Sequence, residues 1–152
     1  MGNSEAAPTT PATVAPVFSQ TNAASVVRNT QAARVILRTV VLALEAVEDG
    51  SIQIKDGNNS SRWSAAISEA SSRLEMVRDE LMETRNPPPL DWVTPLTLVE
   101  ALDAALWHGY AVDDERLTNH EVVYAAKVVI ESLDALLQEC EVSKPAAVSP
   151  VH

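Results

Sequence analysis

The sequence predicts an all-α fold, a four-helix up-down bundle made of two helical hairpins between disordered ends. Three observations carry this. Ala, Val, Leu and Glu dominate a chain with four glycines and six aromatics (Phe18, Trp63, Trp92, Trp107, Tyr110, Tyr124), a balance that favours helices over a turn-rich β architecture. Apolar residues step at helical spacing through four stretches. Between them lie clusters of Gly, Asp, Asn and Pro that interrupt helices. At 152 residues, with 46% apolar and 21% charged, the chain has room for one domain around one core.

Residues 1–22 are rich in Ala, Thr, Ser and Pro, with Pro8, Pro11 and Pro16 opposing helix, and read as a disordered leader. The bundle domain is expected over 23–141. Its first helix spans about 23–49, with Ala33, Leu37, Val40, Leu44 and Val47 on one side and Gln31, Arg34, Arg38, Glu45 and Glu48 on the other. Thr21 or Asn22 is the expected cap, and Asp49-Gly50 the stop. The second helix, about 60–85, carries Trp63, Ile67, Ala70, Leu74, Val77 and Leu81 at the 4-3-4-3-4 steps of a heptad seam. Three prolines, Pro87 to Pro89, end it and form a stiff connector.

Thr94-Pro95 reads as cap and first helical position of a third helix, 95–108, with Leu98, Val99, Leu102, Ala105 and Leu106 on one face and Gly109 just beyond its end. Thr118 and Glu121 form a capping box for the fourth, 119–141, whose seam is Val122, Ala126, Val129, Leu133, Leu136 and Cys140. Residues 142–152, with Pro145 and Pro150, read as a disordered tail.

The net charge of −10 is uneven: residues 91–141 hold eleven acids against Arg116 and Lys127. Such a field repels phosphate backbones and anionic leaflets, so nucleic acid and membrane are not expected as partners. It serves solubility, or it docks a basic protein. No basic-then-apolar leader of the secretory type is encoded, and Arg38 and Glu45 interrupt the longest apolar stretch. A cytoplasmic location follows as the expectation, with secretion by a route that needs no such signal as the alternative. Gly2 lacks the Ser or Thr that a myristoylation pattern needs four residues on, where Ala6 stands. The Asn58 and Asn59 sequons read as loop composition.

No nucleotide-binding, hydrolase, zinc-protease, redox or calcium-loop motif is present, and no cofactor is implied. Cys140 lies at a seam position, where cysteine behaves as a small hydrophobe. The one cluster with chemical content is Trp107-His108-Gly109-Tyr110, then Asp113-Asp114-Glu115 and His120-Glu121. Imidazoles and carboxylates in a loop between helix ends suit a divalent ion, which makes His108, Asp113, Asp114 and His120 candidate metal ligands. The competing reading assigns His108 to the dipole at a helix end and Glu121 to its capping box. Trp92, Trp107, Tyr110, Asp113, Asp114 and Glu115 are candidate partner contacts, because large aromatics outside the seams suit interface anchors.

Together these features point to a non-enzymatic interaction module, a small bacterial cytosolic adaptor or regulator with a protein partner, a basic one where the acidic half serves docking. A secretion-type chaperone or secreted effector and a metal-binding bundle are the alternatives. A homodimer is also expected, through an uncovered bundle end or through Val26, Val27, Ile36 and Val41 beside the first seam.

Overall fold

The helix boundaries follow from local hydrogen bonds that satisfy the unpaired groups at helix ends. The computed structural model describes residues 15–55, 60–111 and 116–143, without the side chains of Ser61, Tyr110 and Ala111. Among these residues the chain forms four α-helices and no strand. The expected disordered ends, over 1–14 and 144–152, and the turn at 56–59 lie outside the described residues.

Helix α1 (Gln20–Glu48) starts three residues earlier than expected, because Ser19 caps it rather than Thr21 or Asn22. The Ser19 hydroxyl accepts the Asn22 N–H at 3.2 Å, and the Asn22 side-chain oxygen accepts the Ser19 N–H at 2.9 Å. The leader therefore does not extend to residue 22. Phe18 packs against the core, and the Pro16 carbonyl accepts the Arg85 N–H at 2.8 Å. Asp49 and Gly50, the latter at φ 79°, end α1 as the sequence implies.

The second helix divides into a 3-10 turn, Ser60–Trp63, and α2 (Ser64–Met82), which stops short of residue 85. There the Thr84 hydroxyl donates to the Leu81 carbonyl at 2.9 Å, and Asn86 takes a left-handed φ of 52° that its short polar side chain tolerates. Helix α3 (Val93–Ala111) outruns its expected span at both ends. Asp91 takes the capping role expected of Thr94: its carboxylate accepts the Thr94 N–H at 3.1 Å and the Thr94 hydroxyl at 2.7 Å. Gly109, expected just past the end, lies inside the helix. Helix α4 (Asn119–Val142) has the expected capping box, with the Thr118 hydroxyl accepting the Glu121 N–H at 3.1 Å and the Glu121 carboxylate accepting the Thr118 N–H at 2.9 Å.

Helix α1 packs on α2 and α4, and α3 closes the ring between those two. Cross-helix bonds give the directions. Asn22 donates to Glu80 at 2.6 Å and Arg73 to Asn29 at 3.5 Å, so α1 and α2 run antiparallel. Arg34 with Asp134 at 2.5 Å, Lys127 with Glu45 at 3.2 Å and His120 with Glu48 at 3.6 Å set α4 antiparallel to α1. The Asp91 N–H donating to Glu139 at 3.2 Å sets the start of α3 beside the end of α4.

The seams meet in one core: Ala33, Leu37, Val40 and Leu44 from α1, Ile67, Ala70, Leu74, Val77 and Leu81 from α2, and Val122, Ala126, Val129, Leu133 and Leu136 from α4 are buried. Each large side chain in it contributes about 1.5–3 kcal/mol through removal from water. Thr30 occupies a seam position of α1 and satisfies its hydroxyl on the Val26 carbonyl at 2.7 Å. On α3 the buried face is Leu96, Val99, Leu102 and Leu106, while Leu98 and Ala105 flank it half-buried, so the expected face is rotated slightly. Trp63 and Val47 are also only half-buried. Among the described residues no helix is long and apolar enough to cross a membrane.

Candidate functional site

Helix α3 differs from its neighbours in composition. Its sequence, VTPLTLVEALDAALWHGYA, contains two acids and no Lys or Arg. Asp103 turns to α2, where its carboxylate accepts the Ser68 hydroxyl at 2.7 Å. Glu100 is then the one exposed residue of α3 with a formal charge. A helix that is apolar on nearly every side is normally covered on every side. Here the outer face is open: Val93 is 52% exposed and Trp107 54%, with Thr97, Ala101 and Ala104 exposed between them. Their spacing places them along one continuous strip, with Glu100 as its single charge. Charge depletion combined with an exposed tryptophan is the compositional mark of the centre of a protein interface.

At the lower end of that strip lies the corner singled out in the sequence. His108 is exposed in the last turn of α3, and Gly109 is buried against the returning chain. A Cβ on Gly109 would lie 3.1 Å from the Arg116 Cα, so a close backbone approach, not a helix stop, requires glycine here. His120 belongs to α4 and reaches Glu48 of α1, and Glu121 is held in the capping box. The structure therefore sets His108 and His120 on different helices. Asp113, Asp114 and Glu115 lie outside the described residues, as does the Tyr110 side chain. Among the described residues no three His, Cys, Asp or Glu converge to hold an ion.

Of the expected partner contacts, Trp107 is exposed, whereas Trp92 is half-buried and packs against the core. Sequence reasoning did not single out Val93. The missed signal was the low charge of the whole α3 segment, which periodicity alone does not weigh.

Cys140 is half-buried at the opposite end of the bundle, beside Phe18 and Leu90, around a cavity of about 10 Å³. Burial, with the neighbouring charges of Glu139 and Glu141 adding to it, pushes the thiol up to about 11. The thiol stays protonated at neutral pH, which disfavours nucleophilic chemistry. Asp91 is held below the usual carboxylate value by the Thr94 hydroxyl and then by backbone N–H donors.

No family model, curated protein or solved structure matches the chain.

Proposed function

We propose that the protein is a non-enzymatic interaction module whose contact surface is the outer face of α3. The observation that carries the reading is an apolar, nearly uncharged helix face, anchored by Val93 and Trp107, left open in a chain of net charge −10. Trp107 supplies a large, stiff apolar body, and Ala101 and Ala104 leave room for another backbone to approach. The partner is read as a protein with an apolar contact face and a basic rim, since acids predominate on the surrounding half of the chain.

Affinity purification from the native host tests this, using the full chain and Trp107→Arg side by side. One protein should co-purify in fixed ratio with the unaltered chain and be lost with Trp107→Arg while circular dichroism shows that the variant is still folded. Recovery of the same protein by both chains would remove α3 as the contact surface.

A further inference from the structure

We infer that the outer face of the α1/α4 layer is a self-complementary surface that pairs two copies of the chain about a two-fold axis running along the helices. This inference is independent of the reading of α3, which lies on the other side of the bundle.

The argument starts from charge. Residues 20–44 of α1 contain Arg28, Arg34 and Arg38 and no acid, within a chain of net charge −10. Arg34 is paired with Asp134. Arg28 and Arg38 are exposed and have no ion-pair partner among the described residues. Beside them Val35 is 59% exposed and Leu42 54%. The adjoining strip of α4 is mainly of opposite character: Glu131, Asp134 and Glu141 are exposed together with Tyr124, and its one base, Lys127, is paired with Glu45 of α1. A basic strip and an acidic strip thus lie side by side on one face.

A two-fold axis parallel to the helices sets α1 of one copy over α4 of the other and leaves axial height unchanged. The register across such a contact is therefore the register already present within the chain. Arg34 lies level with Asp134, Glu45 with Lys127 and Glu48 with His120, so each step up α1 is matched by a step down α4. Four steps beyond Arg34, Arg38 comes level with Glu131 of the other copy. Leu42 comes level with the apolar stem of Lys127, with the Tyr124 ring within one turn of it, and Gln31 comes beside Gln138. Each contact occurs twice by symmetry, and each joins exposed residues of compatible chemistry.

The area is of the right order. A face about 36 Å long, from the 24 residues of α4 at 1.5 Å each, and about 20 Å wide buries about 700 Å² per copy, close to the ~800 Å² typical of stable pairs. The pair expected from the sequence used other residues. Val26 and Val41 are buried in the chain's own core, and Val27 and Ile36 are half-buried.

Sedimentation equilibrium of the full chain, from about 1 to about 100 µM, tests the assignment. The expected result is a species of twice the 16.3 kDa chain mass. Arg38→Glu should raise its dissociation constant by about tenfold or more, and adding Glu131→Arg should restore it, with unchanged circular dichroism. As a second measurement, a Gln31→Cys chain mixed with a Gln138→Cys chain, both in a Cys140→Ala background, should form a disulfide-linked pair. Neither cysteine chain alone should do so to the same extent. A monomer throughout the range, a dimer insensitive to Arg38→Glu, or cross-linking no greater in the mixture than in each chain alone would overturn the proposal.

Discussion

Replacing Gly109 by alanine sets two effects of similar size against each other, and the structure decides the sign. Alanine in a helix interior is favoured over glycine by about 1 kcal/mol, because glycine loses more backbone freedom on folding. If Gly109 were merely tolerated, Gly109→Ala would stabilise α3. The new Cβ, however, would meet the Arg116 Cα at 3.1 Å and its Cβ and Cγ at 3.6 Å. The nearest atom is backbone and cannot rotate aside, so the chain near Arg116 must shift by a few tenths of an ångström. Overpacking of this kind costs about 1–3 kcal/mol. The difference is a net loss of about 1 kcal/mol, or about 2–4 °C in Tm for a chain of this size. Ala104→Gly is the control, since residue 104 is exposed on the same helix and should lose about 1 kcal/mol from propensity alone. Thermal and urea unfolding, followed by circular dichroism at the helix band, give both values. A rise in Tm for Gly109→Ala would refute the close-approach argument and show that the segment at Arg116 yields freely.

Further expectations follow from the core, the α3 cap and the thiol. Leu74→Ala removes a fully buried side chain that faces the other seams and should cost about 2–5 kcal/mol, measured as a lower urea midpoint with unchanged slope. Asp91→Ala should cost about 1 kcal/mol as a lost helix cap. Because the Asp91 value is lowered from 3.8, its contribution is present above 3.8, complete by about pH 5, and lost as pH falls through the lowered value. Asp91→Asn, which keeps an acceptor for Thr94 but does not titrate, should flatten that part of the stability curve between pH 2 and pH 5, both limits being about a unit or more from 3.8. With its thiol pushed up to about 11, Cys140 should react slowly with a disulfide reagent at pH 7 and rapidly in denaturant; fast labelling of the native chain would contradict the burial.

The seams of α2 and α4 were legible because a buried stripe imposes strict spacing, and Ile67 through Leu81 and Val122 through Leu136 occupy it as read. Boundaries were less so, since a cap depends on which side chain reaches which N–H. Ser19, Thr21 and Asn22 are all competent caps by residue type; the reciprocal bonds of Ser19 and Asn22 decide the matter only once the chain is folded. Asp91 likewise lay four residues before the expected start of α3, hidden by the stronger Thr-Pro signal. Gly109 has a tertiary reason for being glycine, which no local rule contains.

The proposed contact surfaces were harder to read than the core for a related physical reason. Core positions are constrained by one another and leave a period; outer positions are constrained by what lies outside the chain and leave composition instead. On α3 that trace is the scarcity of charge around Trp107, and on α1 it is three arginines with no acid before Glu45. Neither trace has meaning until folding shows which residues point outward. Once it does, the two faces separate in kind: the α3 strip is mostly apolar, which is why a different protein is proposed for it, whereas the α1/α4 strips are largely of opposite charge and in matched register. If both are used, a pair of chains would present its two α3 faces on opposite sides, and loss of pairing through Arg38→Glu would lower the valency of partner binding without touching Trp107.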